Sequence, residues 1–246
     1  MKPRTEALLR LFAVQASYTY ERMAGIGVGH ASAPLLRDVF SRRSVRERRE
    51  AVARSADFFN SHPYLAGVAV GAEVRAEQDN VPGAVISRLR TALSGPLGSL
   101  GDQLIWAGWV PTLVAIGLIT APWFGIWAIV GVVLVHNVLR FWITSWGLDL
   151  GLREGLHVGA ALRRSWLPRI AEQAQRIAAF AVGAAVPIVA NRVLGPARPA
   201  EVVATLAAAA LGVVVSLRWQ TRLHINGLRY GLLLVGVAAV AVEVLG

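Results

Sequence analysis

Residues 104–139 contain no Asp, Glu, Lys or Arg. That run is about twice the ~18–20 residues that one bilayer-crossing helix needs. Backbone in hydrocarbon must satisfy its own N–H and C=O groups. Such a stretch is therefore helical, or broken only where protein or a wet cavity shelters it. Pro111, Pro122 and Gly125 fall inside the run, and they predict two spans with a turn near Pro122. Shorter apolar stretches follow at residues 177–190, 202–217 and 230–242, for about five apolar C-terminal segments in all. No period-two pattern marks a strand. The expected fold class is an all-α integral membrane protein.

Composition agrees. Hydrophobic residues make up 55% of the chain, charged residues 16%, and the mean hydropathy is +0.51, whereas a soluble domain carries about 25% charge. A net charge of +10 raises the question of nucleic acid. However, nearly every basic residue is Arg, and Arg42, Arg43, Arg46, Arg48, Arg49 and Arg54 crowd beside apolar segments. That is the pattern of a cytoplasmic membrane flank attracted to anionic lipid. No zinc-finger spacing or interleaved aromatic-basic pattern accompanies it, so no nucleic-acid partner is expected. The absence of cysteine excludes disulfides, thiol catalysis and Cys-based metal sites.

The chain reads as one membrane domain over 1–246: amphipathic and basic helices over 1–57, a motif region over 58–102, and membrane segments over 103–246. Arg10 interrupts the apolar stretch after Lys2 and Arg4, which argues against a cleaved signal peptide. Leu8, Leu9, Phe12, Ala13 and Ala16 recur at helical spacing and predict an amphipathic helix lying on the membrane surface. Residues 5–40 read as helical with breaks at Gly25–Gly29 and at Pro34. Ser44 with Glu47 three residues on predicts a capping box for a charged helix over 44–58. Helices are also expected over 62–79 and 84–93, and an interfacial stripe of Trp166, Leu167, Ile170, Ala174 and Ile177.

The polar motifs sit against this apolar background. Gly95, Gly98 and Gly101 recur every third residue and run into Asp102. No Lys-Ser/Thr ending makes them a phosphate loop. Close helix packing through small residues and a re-entrant hairpin with exposed backbone both fit, and Pro96 favours the hairpin. Asp102, at the mouth of an uncharged run, should face a partner or a polar cavity, or cap a helix starting at Gln103. His62 has no second His at i+3 or i+4, which argues against a metal site and leaves a hydrogen bond at a helix boundary as the simplest role. Asn60 and Glu77 match the donors and acceptors of a hydroxylated ligand. Arg140 is expected to snorkel or to meet a carboxylate. Trp106, Trp109, Trp123, Trp127, Trp142 and Trp146 suggest interfacial belts. No catalytic nucleophile, metal set or cofactor motif emerges.

Three of these stretches carry a resemblance. They are Tyr20-Glu21-Arg22-Met23-Ala24-Gly25-Ile26-Gly27, Phe58-Phe59-Asn60-Ser61-His62-Pro63-Tyr64, and Gly95-Pro96-Leu97-Gly98-Ser99-Leu100-Gly101-Asp102. Together, and continuing in order through Asn137, Arg140, Gly147, Gly151, Gly155, residues 167–172 and Gly183-Ala184, the chain resembles the IID component of mannose/fructose/sorbose phosphotransferase systems. The resemblance implies a non-enzymatic permease subunit in the bacterial cytoplasmic (inner) membrane. It would pair with a IIC subunit in a hetero-oligomer to pass a mannose-type hexose, which phosphohistidines on IIA and IIB subunits phosphorylate. Asn60, His62, Glu77 and Asp102 would lie near the sugar, with Gly95, Pro96, Gly98 and Gly101 forming the hairpin. The chain departs from the family pattern at Thr19, at Val110, and at Thr144-Ser145-Trp146-Gly147. Val110, where the family has an arginine, motivates a rival expectation: a non-transporting scaffold that docks phosphotransferase proteins.

Overall fold

The computed structural model describes residues 1–195 except Arg42. The chain divides into two compact units, Met1–Val186 and Pro187–Gly246. The expected segments at 202–217 and 230–242, and the loop after Gly195, lie outside the described residues. Those residues are helical: α1 (Pro3–Leu11), α2 (Gly25–Val39), α3 (Val45–Ser55), α4 (Ala66–Gln78), α5 (Gly83–Gly101), a π-helical stretch (Asp102–Trp109), α6 (Val110–Phe124), α7 (Ile126–Glu154), α8 (Val158–Arg164) and α9 (Leu167–Leu194).

The core is organised around α4, whose residues from Ala66 to Val74 are all buried. Its most extensive neighbour is α7, and glycines make the approach possible. A β-carbon on Gly71 would lie 2.6 Å from Leu152 N and 2.9 Å from the Gly151 carbonyl carbon. One on Gly151 would lie 2.6 Å from Ala72 N. Gly67 and Gly71 thus face Gly147 and Gly151 as two small-xxx-small seams with the backbones nearly touching. Arg4 adds a two-pronged bond to Asp149, 2.7 Å to each carboxylate oxygen, tying α1 to α7. The predicted capping box opens α3: Ser44 Oγ accepts from Glu47 N–H at 3.2 Å, and Glu47 accepts from Ser44 N–H at 3.0 Å.

Among the described residues, two helical stretches are long and apolar enough to cross a membrane, Gly83–Phe124 and Ile126–Arg164. Only 11% of the second one's most apolar window is covered by the rest of the chain, which is not how a soluble core helix sits. Trp123, Phe124, Ile126 and Trp127 are exposed at the connection. The turn falls at Gly125, three residues beyond Pro122, because φ there is +53°, a conformation that suits glycine.

Several expectations are corrected. There is no hairpin at Gly95–Asp102: Gly95, Pro96, Gly98 and Gly101 lie within α5, which continues through the π stretch into α6. Pro96 is tolerated because it and Ala92, whose carbonyl it leaves without a donor, are both on exposed positions. The π stretch comes just before Pro111, where an α-helical turn would meet the missing N–H and the ring's bulk. There Val110 N–H bonds to Ile105 O. Asp102 is therefore inside a helix and caps nothing.

Gly25–Gly29 begins α2 rather than breaking it, since these glycines admit close neighbours: a β-carbon on Gly29 would lie 2.9 Å from Ala56 Cα. Pro34 sits inside the same helix. The apolar face of α1 (Ala7, Leu8, Leu11) is buried in the core rather than offered to lipid, and Leu9 points away, 55% exposed. On α9 the buried positions include Leu167, Ala171 and Ala178, while Ile170 and Ile177 are exposed. Trp142 and Trp146 both pack on Trp166, each ring 4.9 Å from its ring.

Candidate functional site

Between α3 and α4 the chain crosses the protein in a non-helical strap, residues 57–62. Both edges of the strap are held. On one side Thr19 and Met23 close a tight turn, with Met23 N–H bonding Thr19 O at 2.8 Å and Met23 at φ +49°. Beyond it Ala24 N–H bonds Phe59 O at 2.9 Å, and Phe59 N–H bonds Arg22 O at 3.3 Å. On the other side α5 supplies Ser94. Its Oγ donates to the Asn60 carbonyl and accepts the Asn60 N–H at 3.3 Å. Tyr18 Oη donates to Ser61 O at 2.9 Å. The three sequence motifs, far apart in the chain, thus converge on one place.

A cleft of about 590 Å³ opens there, lined by Gln15, Tyr18, Asn60, Ser61, His62, Pro63, Ser94, Gly95, Gly98, Ser99, Asp102 and Trp106. Its size falls within the usual range for small-molecule sites. Asn60, Asp102 and Trp106 are exposed, and His62 is 2% exposed. His62 Nδ1 accepts the Tyr64 N–H at 3.2 Å, capping the short turn at Pro63–Leu65. This is the helix-boundary hydrogen bond expected from sequence. Burial lowers the pKa of the ring to about 4, so it is neutral at physiological pH. With Nδ1 accepting, the proton sits on Nε2, which is buried without a hydrogen-bond partner. Trp106 lies 5.7 Å away, ring to ring, tilted by 59°. Burial, and then the negative Asp102 carboxylate, raise the pKa of the Tyr18 phenol and keep it a donor.

Glu77 is not in this cleft. It sits on the far side of the strap, taking bonds from Arg54 at 2.6 and 3.2 Å. Beside it the Arg90–Glu73 pair, 2.7 Å apart, has both side chains 4% exposed. Burial pushes the Glu73 carboxyl up to about 7 against the downward pull of Arg90. Arg140 meets no carboxylate among the described residues. It donates to Phe12 O at 2.6 Å and lies over the Phe12 and Tyr64 rings, while Tyr64 Oη and His136 Nε2 are 2.8 Å apart. No group of three His, Cys, Asp or Glu able to hold a metal occurs among the described residues.

Tyr18 and Ser94 are not singled out by the sequence, and Trp106 reads there only as a belt residue. A signal existed: Ser94, Gly98, Asp102 and Trp106 are four residues apart and fall together on one side of a helix. Reading a hairpin at Pro96 hides that series.

The family model for the PTS system mannose/fructose/sorbose family IID component matches residues 1–238. The chain is a member of the IID family. It is 25% identical over 183 residues to the PTS system mannose-specific EIID component of Escherichia coli (strain K12), covering 72% of this chain. It is 24% identical over 244 residues to the fructose permease IID component of Bacillus subtilis (strain 168), covering 90% of this chain and 88% of that one. The matched region spans 64% of the length of the E. coli relative and 63% of a sorbose-specific EIID component of Klebsiella pneumoniae. The fold is like that in a cryo-EM structure of the mannose transporter ManYZ with microcin E492, at a TM-score of 0.59 and 21% identity over 97% of this chain and 95% of that one. In this IID chain two of the three motifs that carried the resemblance line the cleft, and the first holds the strap through Arg22 and Ala24.

Proposed function

We propose that this IID chain is the membrane subunit of a phosphoenolpyruvate-dependent sugar phosphotransferase system in the bacterial inner membrane. With a IIC subunit it forms the pathway for a mannose-type hexose, and IIA and IIB subunits supply the phosphoryl group. The cleft over the strap is its contribution to the sugar path. One observation carries this reading: Asn60, His62 and Asp102 share a cleft with the half-exposed Trp106, midway along the membrane-length stretch Gly83–Phe124. A hexose needs donors and acceptors for its hydroxyls and a flat apolar surface for its C–H face. The exposed Asn60 amide and Asp102 carboxylate meet the first need. Trp106 meets the second. Glu77 stays outside this role, engaged by Arg54.

The test is uptake of labelled mannose by cells carrying the whole system with this chain deleted and restored. Restoration by the unaltered chain, with Asn60→Ala and Asp102→Ala each lowering uptake at least about tenfold, is the expected outcome. Undiminished uptake in both variants would remove the cleft from the pathway. Uptake that never depended on the chain would favour the docking scaffold.

A further inference from the structure

The strap and α5 fit one another along their whole shared length, and the fit is set in register. Arg90 Nη2 donates to Asp57 O at 2.8 Å. One turn on, Ser94 holds both backbone groups of Asn60. After the next turn Gly98 offers a position whose β-carbon would sit 3.9 Å from Ser61 Cα, and Gly101 packs on the His62 side chain. From Arg90 to Gly101 a helix advances about 16.5 Å at 1.5 Å per residue. From Asp57 to His62 an extended segment advances at most about 16.5 Å at 3.3 Å per residue. The two lengths agree, so a single helix face meets the strap at its start, middle and end without slippage.

Arg90 is the anchor of that register. It is 3% exposed, its Nη1 donates to Glu73 at 2.7 Å, and its guanidinium lies 4.7 Å from the centre of the Phe59 ring. One planar cation therefore binds α4, the strap backbone and a strap side chain at once, while its Nε has no partner. A buried cation with those contacts removed is costly, so it holds its neighbours where they are. None of these atoms lines the cleft.

We propose that Arg90 is a positioning residue for the cleft: it locks the strap onto α5, so that Asn60 and His62 ride with the membrane helix that begins at Gly83. The link to the cleft's role rests on the function proposed above; the locking itself does not.

The chain lacks cysteine, so single cysteines report local opening cleanly. Ser61→Cys places a near-isosteric thiol on the strap at a position 4% exposed, and Thr144→Cys places one on α7 at a position 2% exposed. The probe is a fluorescent maleimide on the membrane-embedded whole complex. With Arg90→Gln, labelling at position 61 should rise at least about tenfold while labelling at 144 stays unchanged. Arg90→Lys keeps the charge but loses the fork, and should fall between the two. Ser94→Ala removes the middle hold and should also raise labelling at 61. If Arg90→Gln disturbs the whole fold, both positions label faster, and the Arg90→Lys and Ser94→Ala results then decide. Position 61 unchanged in all folded variants overturns the proposal. Labelled-mannose uptake in the same variants separates the two ideas: faster labelling at 61 with undiminished uptake keeps the lock and rejects the cleft as the sugar path.

Discussion

Gly101 of α5 packs so closely on His62 that a β-carbon there would stand 3.0 Å from the ring's Nδ1 and closer still to its Cβ and Cγ. The Cβ of His62 belongs to the strap and cannot swing aside like the end of a long side chain. Gly101→Ala should therefore displace the strap or part it from α5, at a cost of about 1–3 kcal/mol for overpacking. Gly95 is the control, because a β-carbon there meets nothing within 4 Å. Gly95→Ala should be neutral or stabilise by about 0.5–1 kcal/mol through helix propensity. Thermal unfolding in detergent, followed by tryptophan fluorescence, measures both.

His62 makes stability depend on pH in a stated direction. Its folded pKa, about 4, lies below the ordinary value of 6.5. The unfolded chain therefore binds the proton more readily between these values. The stabilisation is fully present above about 6.5 and is lost as pH falls towards 4, with an upper limit of about 3 kcal/mol. Glu73 works the other way: its carboxyl, pushed up to about 7 by burial, gains stability on acidification. The difference between the unaltered chain and His62→Gln isolates the His62 part. That difference in melting temperature should shrink as pH falls from 7 to 4.5. A difference independent of pH would mean the ring is not held neutral.

What sequence conveyed and what it did not follow from the range of the forces involved. The capping box at Ser44 and Glu47 and the helix-boundary bond of His62 are local, within a few residues, and both were legible. The charge-free run gave the two membrane-length helices because transfer of backbone into lipid constrains any such run. Pro96 misled because a proline's cost depends on whether the carbonyl it orphans is buried, and that is a matter of tertiary placement. Glu77 misled for the same reason: a carboxylate suits a hydroxyl or an arginine equally, and only the fold brings Arg54 to it across 23 positions. Arg90 gave no sign of its role, since its partners come from α4 and from the strap.

Glu77→Gln separates a structural carboxylate from a ligand contact. The amide keeps the shape but gives up the charge that Arg54 meets at 2.6 Å. Arg54 is then left partly buried without its counter-charge, for a loss of about 1–3 kcal/mol. The apparent KM for mannose uptake should stay within about twofold, because no atom of Glu77 lines the cleft. A KM raised tenfold with unchanged stability would return Glu77 to the sugar path.

The α4–α7 crossing should be the least forgiving part of the fold. At Gly71 an added methyl meets the α7 backbone, Leu152 N at 2.6 Å and the Gly151 carbonyl carbon at 2.9 Å. Backbone atoms inside two packed helices cannot rotate away as a side chain would, so the helices must separate. Separation strips contacts from Val68 and Leu148, both 0% exposed, and the lost packing adds to the strain. Gly71→Ala and Gly151→Ala should each destabilise by about 2–4 kcal/mol. Because they crowd the same contact, the double variant should cost less than the sum. Gly131 lies on the same α7 with nothing within 4 Å of an added β-carbon, and Gly131→Ala should be neutral or mildly stabilising. Thermal melts of the four variants in one detergent test this: equal costs at 71, 151 and 131 would mean that helix propensity, and not the close crossing, accounts for the glycines.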